Sequence, residues 1–192
     1  MITSRLCDLF GYRRAVLFAR ARAGITATLR VLGANTLYGP SNACPAVVYA
    51  AVAARAAYVP MAVDLDTGLA RSLIEPEAER HGAVAMPTHL YGSYLDNYLT
   101  PGCFILENDT LAVTALRRCP PSGDALLVSF AKDKTIDAGG GGAILTDDVA
   151  LADQLIAYAR TRPGWATIDQ QLDEARMLQR RGGTLAEDQM AA

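Results

Sequence analysis

Residues 129–142 read SFAKDKTIDAGGGG. Two lysines, Lys132 and Lys134, stand between an apolar run that ends in a hydroxyl and four consecutive glycines. Glycine runs let a backbone turn tightly or come close to another group, so this stretch predicts a site where a lysine meets a ligand. The flanks set the architecture. DALLVSF (124–130) has the length and apolar content of a buried strand. GGAILTDD (141–148) holds another, and its acids provide an N-cap for a helix over 149–160.

The same alternation extends along most of the chain. AVLFA (15–19), TLYGP (36–40), AYVPMAVDLD (57–66) and CFILEND (103–109) read as strands, and GAVAMPTHLYG (82–92) as a strand running into a loop. Helices are expected over 25–33 with Gly33 as the C-cap, over 43–56 with Pro45 in the first turn, and over 68–80. A last amphipathic helix uses Ile168, Leu172 and Ala175, and the tail 183–192 is expected to fray. Near the start, Leu6 and Phe10 belong to folded structure. Strands alternating with helices predict an α/β fold, a mainly parallel sheet flanked by helices, in one domain over 1–192. Ligands of such sheets lie beyond the carboxyl ends of the strands. The polar residues Arg20, Arg22, His89, Asp109 and Ser129 fall at those ends.

Composition narrows the function classes. With 51% hydrophobic and 20% charged residues, a packed core is expected rather than disorder. Arginines cluster early (Arg13, Arg14, Arg20, Arg22, Arg30), but the net charge is −2. We therefore expect local anion sites there and no nucleic-acid partner. The four cysteines, Cys7, Cys44, Cys103 and Cys119, are widely spaced without a C-x-x-C, and the histidines are only His81 and His89, so no metal site is expected. The first residues lack a signal-type apolar region, and reduced thiols point to a cytoplasmic location. Val31 to Ala54 carries no charge, but Gly33, Gly39, Pro40 and Pro45 interrupt it, so two short buried elements are expected there and no membrane span.

A dinucleotide fingerprint needs G-x-G-x-x-G after the first strand, where this chain has RARAG (20–24); G-K-[ST] and G-x-S-x-G are absent. A carbonyl cofactor held by a lysine remains. Pyridoxal phosphate (PLP) needs an amine, an anion-binding turn, an acid for the ring nitrogen and a platform for the ring. RARAG ahead of a helix supplies backbone donors and guanidinium charge for a phosphate, through Ala21 and Arg22. Ser129 can add a hydroxyl, Asp109 ends a strand, and the glycine-flanked loop offers the lysine.

These residues resemble a known pattern. The DegT/DnrJ/EryC1/StrS family of PLP-dependent sugar aminotransferases carries S-F-x-x-x-K-x-x-x-x-G-x-G-G, which Ser129, Phe130, Lys134, Gly139, Gly141 and Gly142 match. PSNACPAVVYAAVAARAAYVPMAVDLD, THLYGSYLD and FILEND resemble further family segments, so that the likeness runs from about Leu6 to about Asp148. It implies a fold-type-I large domain, with PLP on Lys134 as a Schiff base and Lys132 a solvated neighbour. It also implies amino transfer from a donor to a keto sugar, nucleotide-linked in such relatives, with His89 as a substrate contact. It further implies a homodimer, or a partner chain that supplies what this chain lacks, namely the family's N-terminal segment and small C-terminal domain. A truncated pseudoenzyme, or one half of a split enzyme, is the alternative.

The sequence also departs from that pattern. Arg20–Ile25 replaces the family's S-G-T-x-A-L, Cys44 falls at its ring-stacking aromatic, where a buried small residue is expected, and Gly140 replaces a glutamate. A register on Glu107 places Asn108 at the family's aspartate; a slip of one residue places Asp109 there. We take Asp109, because a neutral amide cannot stabilise a pyridinium by charge.

Overall fold

The computed structural model describes residues 2–70, 82–90, 102–111, 123–132 and 134–161. Leu6 and Phe10, one helical turn apart, are the buried side of α1 (Ile2–Phe10). Next come β1 (Arg14–Phe18), α2 (Ala21–Val31), β2 (Thr36–Pro40), α3 (Pro45–Ala54) and β3 (Ala57–Met61). The remaining elements are β4 (Ala83–Ala85), β5 (Phe104–Asn108), β6 (Ala125–Ser129), β7 (Gly142–Thr146) and α4 (Val149–Arg160). Asp148 caps α4 by accepting a hydrogen bond from the Leu151 N–H at 3.0 Å.

The strands form one sheet in the order β1-β7-β6-β5-β4-β2-β3. All neighbours are parallel except at β7, which runs antiparallel to both β1 and β6. The expected mainly parallel sheet is therefore present, with one reversed strand. The alternation of strand side chains divides the core between two faces. Leu127 and Ile144 pack on one face with residues of α2, α3 and α4. Leu126, Val128, Ala143 and Leu145 pack on the other with Leu6, Phe10 and Tyr12.

The reversal of β7 positions the site. Gly142 opens β7 and pairs with Phe18 at the end of β1 on one side and with Ser129 at the end of β6 on the other. The stretch quoted at the outset is thus a hairpin connection at the carboxyl end of the parallel strands. A Cβ built on Gly142 would stand 2.6 Å from Ala21 Cα and 2.7 Å from Ala21 N. What the glycine run approaches is the first turn of α2.

Three boundaries differ from expectation. The helix expected at residue 25 starts at Ala21, so RARAG is mostly its first turn. Its C-cap is Leu32, and Gly33, expected to be the cap, follows it with φ +64°. The strand expected over 57–66 ends at Met61. Its continuation folds back, with the Asp64 N–H donating to Leu69 O at 2.8 Å and a bridge between Val63 and Ala70. Most of the helix expected over 68–80, the helix around Leu172 and the tail 183–192 lie outside the described residues.

Candidate functional site

The carboxyl ends of β1, β6, β5 and β4, with the first turns of α2 and α3, enclose a cleft of about 590 Å³. From β1 come Arg20 and then Ala21 and Arg22 in α2; from the hairpin come Lys132, Lys134 and Gly139–Gly141; from β5 and beyond come Asn108 and Thr110. Two helix N-termini therefore meet one cavity. Neither is closed by its own side chain: Arg20 and Cys44, the two N-cap residues, make no side-chain cap hydrogen bond. Helix N-termini carry unsatisfied N–H groups and the positive end of the helix dipole. The N–H groups of Ala21 and Arg22 are such donors, and the guanidinium groups of Arg20 and Arg22 stand beside them.

The hairpin that carries the lysines is held by its own backbone. The Phe130 N–H donates to Gly141 O at 3.1 Å, the Ala138 N–H to Phe130 O at 3.0 Å, and the Lys134 N–H to Ala131 O at 3.2 Å. Gly139 and Gly141 adopt positive φ, +77° and +99°, a backbone conformation that side chains rarely accept. Lys134 is half-buried and Lys132 exposed, and both line the cleft. Ser129 lies on the floor, 4% exposed. Its Oγ accepts from the Ala131 N–H at 3.4 Å, and a serine hydroxyl also carries one proton to donate.

At the end of β5, Asn108 and Asp109 stand in different places. Leu106 belongs to the core cluster shared with α2, so the alternation turns Asn108 to that same face, and Asn108 lines the cleft. Its Nδ2 donates to Thr88 Oγ1 at 3.2 Å, and its Oδ1 accepts from the Thr110 N–H at 3.2 Å. Asp109 is fully buried and absent from the cleft lining. Its N–H continues the ladder to Leu127 O at 2.9 Å, which sets its side chain on the face opposite Asn108. His89, expected to contact substrate, is 1% exposed, and its Nε2 lies 2.8 Å from Glu107 Oε1. Its neighbours Thr88 and Leu90 line the cleft instead. Cys44, expected to be a small buried residue, is exposed at the mouth of the cleft.

Ala21, Arg22, Ser129 and Lys134 thus converge on one cleft, while Asp109 and His89 point elsewhere. Sequence reasoning missed Thr88 and Thr110. The signal was their position beside strand ends, which two louder neighbours, His89 and Asp109, overshadowed.

The donor set fits a phosphate-bearing carbonyl cofactor at two points. Backbone N–H groups and guanidinium groups suit the phosphate, and a lysine amine suits the carbonyl. At the third point it does not fit. Among the described residues lining the cleft there is no carboxylate to pair with a protonated ring nitrogen.

No family model matches the chain. Solved structures do. DesI, determined in the presence of its TDP-sugar product, superposes with a TM-score of 0.67 at 25% identity, over 82% of this chain and 43% of its own. A DegT DnrJ EryC1 StrS aminotransferase from Brucella abortus gives a TM-score of 0.64 at 22% identity, over 82% and 48%. Helicobacter pylori PseC, an aminotransferase involved in the biosynthesis of pseudoaminic acid, gives 0.66 at 16% identity, over 80% and 45%. The chain therefore spans less than half the length of each of these enzymes. Its fold is that of the PLP-dependent aminotransferases, with structural neighbours of the DegT/DnrJ/EryC1/StrS type.

Proposed function

We propose that this chain is the cofactor-bearing domain of a PLP-dependent aminotransferase acting on a nucleotide-linked keto sugar, with Lys134 as the catalytic amine. The observation that carries the proposal is the meeting of Lys134 with the uncapped first turn of α2 and with Arg22 in one cleft. Residues 1–192 form one such domain.

PLP supplies an aldehyde and a conjugated ring that withdraws electrons. The chain supplies the rest. Ala21 and Arg22 would hold the phosphate through their backbone N–H groups, and Arg20 and Arg22 would add charge. The Ser129 hydroxyl donates a further hydrogen bond. The Lys134 amine would hold the carbonyl group, and when free the same Nζ would take and return a substrate proton. The closed backbone of the hairpin fixes where that amine stands, which is the positioning part of the rate gain. A second function, a cofactor-binding subunit without catalysis of its own, is favoured by the neutral Asn108 at the end of β5.

α3 supports a homodimer or a partner chain. Over Pro45–Ala54 it has no charged or amide side chain, yet Tyr49 is 65% and Val52 66% exposed. A helix apolar on all sides belongs in an interior, and its first turn borders the cleft. Tyr49→Glu together with Val52→Glu is expected to shift the protein to monomers in sedimentation velocity; an unchanged distribution argues that this face is not an interface. Cys7, Cys44 and Cys103 are free thiols, in keeping with a cytoplasmic location.

The test of cofactor binding is an absorbance titration with PLP. The chain is expected to develop the visible band of a lysine imine, and inorganic phosphate to compete it away. No band under saturating PLP overturns the proposal.

A further inference from the structure

Crossing the sheet at its carboxyl edge, the cleft meets in turn the first turn of α2 beyond β1, the lysine hairpin between β7 and β6, Asn108 on β5 and Thr88 beyond β4. The charged side chains in its described lining are all cations: Arg20, Arg22, Lys132 and Lys134. The two carboxylates nearest along β5, those of Glu107 and Asp109, are turned to the opposite face of the sheet. Glu107 is engaged there with His89 and, through Oε2, with the Gly123 N–H at 3.4 Å.

We propose that this cleft holds its cofactor with the ring nitrogen unprotonated, Asn108 taking the place where a carboxylate would keep the proton. The inference rests on the assignment of Lys134 as the anchoring amine. No carboxylate in the described lining offsets a proton on the ring, and a positive charge without a counter-charge is disfavoured where water is excluded. Asn108 cannot offset this by charge. Its amide can instead donate to a neutral ring nitrogen through Nδ2, the group that otherwise donates to Thr88 Oγ1. A neutral ring withdraws electrons less strongly.

The experiment uses PLP labelled with ¹⁵N in the ring, bound to the full chain and followed by NMR. The wild-type complex is expected to show the shift of an unprotonated pyridine. Asn108→Asp is expected to move it upfield to that of a pyridinium. That substitution changes little in shape: Oδ1 still accepts from the Thr110 N–H, and the Thr88 hydroxyl, which donates to Met86 O at 3.3 Å, can turn to donate to the new oxygen at the cost of that bond. A pyridinium shift in the wild type overturns the inference. So does an unprotonated shift in a folded Asn108→Asp complex, since it removes the role given to Asn108. If borohydride traps no PLP on Lys134, the functional proposal fails and this inference fails with it. A trapped label with the wrong ring shift defeats the inference alone.

Discussion

Lys134→Ala is expected to abolish the imine absorbance of the chain with PLP, whereas Lys132→Ala leaves it. The two lysines lie two residues apart and both reach the cleft, so side-chain direction does not separate them. Their settings do. Lys134 is half-buried, and its backbone N–H is fixed to Ala131 O, which places its amine on a closed turn. Lys132 is exposed. A covalent anchor requires an amine held in one place; an exposed lysine loses more rotamer freedom on engagement, about 2 kcal/mol for a full side chain. Borohydride reduction followed by peptide mapping should find the label on Lys134. A label on Lys132, or equal labelling of both, would show that the hairpin does not select its amine.

The second large effect is expected at Gly142. Alanine there would put a methyl group 2.6–2.9 Å from the backbone and Cβ of Ala21. Neither side can yield easily, because Gly142 is paired to Phe18 and to Ser129 within the sheet and Ala21 begins a helix packed on it. Overpacking of this kind costs about 1–3 kcal/mol. The strain falls on the turn proposed to bind the phosphate, so PLP affinity should drop together with the denaturation midpoint. Gly140→Ala is the control. A Cβ there meets nothing within 4 Å, and stability should stay within about 0.5 kcal/mol. If Gly142→Ala matched Gly140→Ala in both measurements, the close approach of β7 to α2 would carry no functional weight.

The alternation of strands and helices was legible in the sequence because buried parallel strands are short apolar runs and Gly or Pro marks the ends of the helices between them. The segments read at 15–19, 36–40, 103–109, 124–130 and 141–148 all contain strands of the sheet. The reversal of β7 was not legible, since nothing in a buried apolar run states its direction; only pairing partners do. The end of β5 was misjudged for a related reason. Glu107, Asn108 and Asp109 are all polar strand-end residues, and what separates them is parity relative to Leu106, which becomes visible only when the core face is known. His89 stood out as a rare titratable residue near a strand end, but its ring finds Glu107 inside the protein. Ser129 and Lys134 lay in a motif whose spacing matches the hairpin geometry, and the structure brings them to the same cleft as Arg22.

The position of β1 bears on when this protein becomes able to bind anything. β1 lies at one edge of the sheet, and its neighbour there is β7. During synthesis it emerges early and waits, unpaired, until nearly all of the described chain has followed. Closing so long a loop is slow, and unpaired strand edges are exposed in the interval. The phosphate turn and the lysine hairpin come together at that same late pairing. A cofactor that bridges them binds only the finished sheet and draws the folding equilibrium toward it by mass action. If Lys134 anchors PLP as proposed, supply of the cofactor sets how much of the newly made chain reaches the finished sheet, quite apart from any turnover.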